Sequence, residues 1–141
     1  YKPTRRRRQR QMCIRDRATA WSLANYDNQI VLEPLINALK NDVAAVRLWS
    51  SSSLAEIGNV SLENAQLAAK QLLISLKIDN ESGVRSNCIW SLCRLYEKLN
   101  NTFQESFVDE CTKIALFDKE PSVMEEAKTA LDSMGMQGFY N

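Results

Sequence analysis

The chain has 141 residues, with 18 Lys+Arg against 17 Asp+Glu, four cysteines and no histidine. The length suits one domain with a core of its own, and no apolar run is long enough to span a bilayer. Without histidine there is no Ser–His or Cys–His pair, and Cys88, Cys93 and Cys111, an odd number beyond Cys13 with no CxxC spacing, fit neither a zinc site nor a disulfide framework.

Residues 1–17 are the first element. They hold eight Lys/Arg and one acid, which leaves ten Lys/Arg against sixteen Asp/Glu in 18–141. Two readings of the segment stand. As protein it is a basic arm, which predicts salt-dependent, sequence-independent binding to nucleic acid. As coding sequence, Arg-Arg-Gln-Arg-Gln-Met-Cys-Ile-Arg-Asp-Arg at 7–17 resembles one reading frame of a transposase-type sequencing-library adapter, without a gap. On that resemblance 1–17 is a non-native segment, disordered or a helix extension, and the domain is 18–141. No nucleic-acid partner is then expected once 1–17 is set aside. No secretory signal is recognisable, and the cysteine usage points to a cytoplasmic setting.

The domain repeats itself. Trp21-Ser22-Leu23 recurs as Trp90-Ser91-Leu92, with Ser52-Ser53-Leu54 between them and Thr129-Ala130-Leu131 after. Eight residues before the last three leucines stand Val46, Val84 and Val123. Arg47 and Arg85 follow the first two, and Met124 follows the third. Asp42, Asp79 and Asp118 lie just upstream, each behind an apolar tract. A unit therefore reads as apolar tract, Asp-containing turn, Val-Arg, and a second periodic segment ending in leucine.

Both segments have helical period. At 100° per residue Val84, Cys88, Ser91, Leu92 and Leu95 share a face, as do Val46, Ser50, Ser53, Leu54 and Ile57, and again Val123, Ala127, Ala130, Leu131 and Met134. The tracts 31–40, 62–77 and 103–117 are amphipathic helices too. Ser61 and Asn101 are the expected N-caps, Pro121 suits a first turn, and Pro34 requires a first turn or a kink. Gly58, Gly83 and Gly135 punctuate the units. The pattern predicts an all-α fold: a truncated α-solenoid of stacked antiparallel helix pairs, three to four repeats long. Small residues such as Ser50, Ser53 and Ala127 permit close approach of neighbouring second helices. The tail from Gly135 reads as a turn into another helix.

The unit LIxALxxD…VRxxxxxxLxxIG at 35–58 resembles the HEAT-like repeat of the armadillo-type folds, especially the short type of the phycobilisome-lyase-like proteins of cyanobacteria. Leu35, Leu39, Asp42, Val46, Arg47, Leu54, Ile57 and Gly58 carry the resemblance, and Asp79, Val84, Arg85 and Leu92 carry it in the next unit. It covers residues 18–135. It departs at Met124, where the family expects arginine, and at Arg15 and Asp16, which occupy the Val-Arg positions of the first unit. The resemblance implies that the second helix of each unit lines the concave side. It also implies a role in attaching, isomerising or removing bilin chromophores, or in phycobilisome turnover.

No catalytic constellation appears. The four glycines are scattered and form no phosphate loop, and the acid pairs Asp109-Glu110 and Glu125-Glu126 read as solvated helix faces. Arg47 and Arg85 are expected to bridge to Asp42 and Asp79 and so to stack repeat on repeat. The second-helix face opposite the core holds Leu48, Ser52 and Ala55 in one unit and Ser86, Trp90, Cys93 and Glu97 in the next, with Trp21 at the position of Trp90 in the first. Tryptophan where polar residues are expected marks Trp21, Leu48, Ser52, Trp90, Cys93 and Arg94 as a candidate partner face, with Tyr96 extending it. Packing of Trp21 and Trp90 between adjacent second helices, or against a cap lost by truncation, is an equal alternative, and Trp49 belongs nearer the core. Two functions are carried forward. One is a non-catalytic protein–protein interaction scaffold without a cofactor. The other, implied by the resemblance alone, is a phycobilisome-lyase-like protein with a phycobiliprotein partner and a transient bilin, whose propionates Arg47, Arg85 or Arg94 would meet.

Overall fold

The computed structural model describes residues 28–136; Trp21, the stretch 7–17 and the end of the tail lie outside the described residues. Six α-helices follow one another: α1 Asn28–Asn41, α2 Ala44–Gly58, α3 Leu62–Ile78, α4 Ser82–Leu95, α5 Asn101–Phe117 and α6 Pro121–Ser133, with a 3-10 turn Tyr96–Lys98 after α4. No strand occurs among the described residues, so the all-α expectation holds.

Local chemistry sets the helix ends. Ser61 caps α3, its hydroxyl accepting from the Asn64 N–H at 3.1 Å. The cap of α5 is Asn100, one residue before the expected Asn101, and it accepts from the Phe103 N–H at 2.8 Å. The shift has a tertiary cause. Gln66 on α3 accepts from the Asn100 N–H at 2.9 Å and donates to the Lys98 carbonyl at 2.6 Å, which fixes the chain just before the helix. Pro121 opens α6. Pro34 lies inside α1, beyond the first turn. It removes the donor that would bond the Ile30 carbonyl, but Ile30 and Pro34 are both exposed, so water can take that place. At the end of α6, Gly135 has φ of 74°, the Met136 N–H donates to Leu131 at 2.8 Å and the Gly135 N–H donates to Asp132 at 3.1 Å, a Schellman motif.

Each odd-numbered helix packs on the even-numbered helix that follows it. The odd helices also touch one another in sequence, as do the even ones, so the chain forms two layers with the core between them. Val84, Cys88, Ser91, Leu92 and Leu95, the face predicted for α4, are all buried, and Val123, Ala127, Ala130 and Leu131 repeat this in α6. Such burial stabilises by roughly 1.5–3 kcal/mol per large apolar side chain. Gly58 permits a close approach where α2 ends. A β-carbon there would stand 3.0 Å from the Leu95 Cδ2 and 3.3 Å from the Ala68 β-carbon.

The contact between α2 and α4 is close and polar. The Ser91 hydroxyl donates to the Ser51 carbonyl at 2.7 Å, and the Asn87 amide donates to the Leu48 carbonyl at 3.0 Å and to the Ser52 hydroxyl at 2.8 Å. Ser50 and Ser51 are the buried serines of α2, whereas Ser52 and Ser53 are only half-buried. Among the described residues no buried side-chain polar atom lacks a partner, and no helix is long and apolar enough to cross a membrane.

Gly135 provides a test of the Schellman ending. Gly135→Ala is expected to lower unfolding stability by about 1 kcal/mol, and Gly135→Asn by less, because alanine resists the left-handed conformation more than asparagine does. Urea titration of the three chains, followed by circular dichroism, measures the difference.

Candidate functional site

The aspartate turns organise one edge of the molecule. Asp79 ends α3 and Asp118 ends α5, each with an extended backbone. Each carboxylate accepts the N–H two residues on, that of Glu81 at 3.0 Å and that of Glu120 at 2.9 Å. Each also receives a two-pronged arginine. The Arg47 Nε and Nη2 donate to Asp79 at 2.8 and 3.1 Å, and those of Arg85 donate to Asp118 at 3.2 and 2.9 Å. The remaining prong goes back to the arginine's own turn: Arg47 Nη1 donates to the Asp42 carbonyl at 2.9 Å and Arg85 Nη1 to the Asp79 carbonyl at 2.8 Å.

This corrects the expected pairing. Each arginine joins the carboxylate of the next turn and takes only the main chain of its own. Asp42 therefore does not pair with Arg47 through its side chain; its Oδ1 accepts the Val43 N–H at 2.8 Å. The linker 42–43 is one residue shorter than the linkers 79–81 and 118–120, which moves the Asp42 cap to the adjacent N–H. The Arg47 and Asp79 side chains are 17% and 6% exposed, those of Arg85 and Asp118 11% and 9%, so both pairs are largely sheltered from screening. The hydrogen bonds to Asp79 raise the Arg47 pKa above the ordinary arginine range, outweighing the opposite effect of burial, with help from the Asp79 and Glu81 charges. The arginine is thus permanently charged. Open grooves of about 300 and 580 Å³ run beside the Arg47–Asp79 and Arg85–Asp118 bridges.

Trp90 stands on the even-helix surface. It is 44% exposed, and the Arg94 guanidinium carbon lies 4.9 Å from its ring centroid, a cation–π contact. Arg94 Nη2 also meets Glu56 Oε1, on α2, at 3.0 Å. Glu56, Arg94 and Trp90 thus form one stack across α2 and α4. The sequence reading missed Glu56. The signal was present: Glu56 and Arg94 each stand ten positions after their unit's valine, with opposite charge.

The other residues of the candidate face part company with Trp90. Leu48 is half-buried against the core near the start of α4, where a β-carbon on Gly83 would lie 3.4 Å from it. Ser52 is engaged by Asn87 in the helix seam. Ala55, expected on the open face, is fully buried. Cys93, expected to point outward, packs against the core beside α6, which covers it. Burial pushes its thiol up to about 11, the bond to Ser133 opposes this, and the Glu126 charge adds to it. Cys88 and Cys111 are buried and likewise raised, chiefly by desolvation. Tyr96 does not extend the Trp90 patch. It begins the 3-10 turn and faces Phe107 of α5 at 6.3 Å between ring centroids. Ser86 and Trp49 are half-buried and Glu97 is exposed.

No group of His, Cys, Asp or Glu among the described residues could hold a metal ion. No protein-family model matches the sequence, and no curated protein or solved structure matches it either.

Two measurements check this geometry. Asp79→Asn is expected to cost about 2–4 kcal/mol in chemical denaturation, since it leaves the sheltered Arg47 charge without its anion, whereas Asp42→Asn costs under about 1 kcal/mol. In the native chain at pH 8, with its pKa at about 11, Cys93 is thiolate to only about one part in a thousand. Peptide-resolved iodoacetamide labelling should therefore find it far slower than in the same chain unfolded in guanidinium.

Proposed function

We propose that the chain is a non-catalytic protein–protein interaction scaffold, an α-solenoid of consecutive HEAT-like repeats that holds a protein partner on the face made by the second helices α2, α4 and α6. The repeat reading is supported by the recurring aspartate turn, by arginines at the fourth residue of α2 and of α4 that reach the next turn in the same way, and by contacts that run from each helix to the next of its own layer.

Trp90 carries the binding reading. A packing tryptophan would be buried, and a solvated helix face would hold a polar residue there. Trp90 is half-exposed and already oriented, because Glu56 holds Arg94 and Arg94 covers part of the ring. Tryptophan and arginine dominate interface hot spots, and side chains ordered before contact lose less entropy on docking. A bilin-handling role rests on the resemblance alone. Of the three arginines that could meet propionates, Arg47 and Arg85 are committed to sheltered aspartates, and Arg94 is paired with Glu56 in an exposed bridge.

Co-purification from an extract of the encoding organism, with wild-type, Trp90→Phe and Trp90→Ala chains as bait, tests the proposal. Trp90→Ala is expected to fold with stability within about 1 kcal/mol of wild type and to bind the partner roughly thirtyfold or more weakly, with Trp90→Phe between. A partner held equally well by all three chains sinks the proposal. A change in the visible absorbance of a free bilin on mixing with the chain would instead favour the chromophore role.

A further inference from the structure

We infer that the partner segment that docks on Trp90 is cationic: a stretch of protein that brings Lys or Arg against the ring and the carboxylates around it. The inference rests on the second-helix face being the binding face. It deepens that reading by naming the chemistry of the partner.

Charge is unevenly divided between the two layers. On the odd helices of the described chain, the exposed charges balance, four carboxylates against four lysines. On the even helices and the 3-10 turn they do not. Glu56, Glu97, Glu125, Glu126 and Asp132 are exposed, and Arg94 is the one exposed cation described there. Lys98 and Lys128 are half-buried and tied to Asn59 and Glu125.

Geometry places part of this charge around Trp90. On the α2 side, Arg94 lies over the ring and is held by Glu56. On the α6 side, Cys93 stands three residues on from Trp90, within hydrogen-bond reach of Ser133 and in the field of the Glu126 carboxylate. Across the α2–α4 seam Asn87, three residues after its valine, meets Ser52, six residues after its own; Glu126 and Trp90 hold the same two positions where α6 packs on α4. Glu97 is exposed in the 3-10 turn that follows α4 and adds to the acidic charge of this layer. Glu126 thus lies on the α6 side of the tryptophan and the Arg94-bound Glu56 on the α2 side, within a layer whose exposed charge is mainly acidic.

An indole face is itself electronegative and attracts cations. The part of the Trp90 ring that Arg94 leaves open, with Glu126 beside it and Glu56 drawing on the Arg94 charge, favours a guanidinium or an ammonium over a carboxylate. An acidic segment would meet like charge, which costs affinity and slows encounter.

Trp90 fluorescence tests the inference, read as the difference between the wild-type chain and Trp90→Phe so that Trp21 and Trp49 cancel. The probes are short Arg-Gly-Ser and Glu-Gly-Ser peptides of equal length, used in excess over the chain, which carries its own arginines at 5–10. The arginine peptide is expected to quench Trp90, to bind roughly tenfold more weakly as salt rises from about 0.1 M to about 1 M, and to bind the Glu97→Gln/Glu126→Gln chain roughly fivefold more weakly. The glutamate peptide should leave Trp90 unchanged. Quenching by the glutamate peptide overturns the charge inference while keeping this surface as a binding face. If neither peptide reaches Trp90 the inference falls as well, and the scaffold reading is then judged by the Trp90→Ala co-purification alone.

Discussion

The bridge from Arg47 to Asp79, repeated from Arg85 to Asp118, is the contact on which the geometry of the two layers depends. One aspartate does three things at once. The Asp79 carboxylate receives the guanidinium of the preceding second helix and the N–H that opens the following one, and its carbonyl receives the next arginine. Apolar burial between the layers supplies more free energy, but it has no direction and would tolerate sliding of one helix pair along the next. A two-pronged, sheltered, charge-assisted bond does not tolerate it. The bridges therefore fix the register of the units, while the leucines, valines and alanines between them supply most of the cohesion.

That register brings α2 and α4 together along serines. Ser51 and Ser91 are fully buried, and their hydroxyls bond main-chain carbonyls while Asn87 bonds across the seam. A larger residue in place of either serine would hold the helices apart. Glu56 would then lose Arg94, and Arg94 would lose the support that sets it over Trp90. The candidate site thus depends on the turn edge at one remove, through a seam that the bridges align.

Much of the fold was legible in the sequence because a valine-based helical period and an aspartate before each second helix report local structure. The six helices, the cap at Ser61 and the place of Pro121 follow from one segment at a time. What needed the structure was non-local. The cap moved from Asn101 to Asn100 because Gln66, on another helix, holds that N–H. The arginines reach the aspartate of the next turn because the packing of one helix pair on the next brings it within range, which the spacing inside one unit does not report. Ala55 and Cys93 left the open face because a helix position opposite the core of one pair still faces the neighbouring pair when pairs are packed side by side. A helical wheel has two sides, whereas a helix inside a layer has four. The same reasoning separates Trp90 from Tyr96: α4 ends at Leu95, and the turn carries Tyr96 round to Phe107.

Trp90 then stands where three of those four sides are already occupied, by α2, by α6 and by the core. Its own side is the fourth. On that side the Glu56–Arg94 pair meets solvent, and the even helices carry further exposed carboxylates such as Glu126. A structural role for the indole would bury it, whereas Trp90 is 44% exposed and its ring meets the charged Arg94. Arg94 covers part of the ring without burying it, and a cation–π contact of this exposed kind contributes about 0.5–1 kcal/mol, less than burying the indole would. An exposed aromatic ring held by a weak, oriented contact gains little from its own core, and the proposed partner face rests on that imbalance rather than on the grooves beside the arginine bridges, whose charges already satisfy one another.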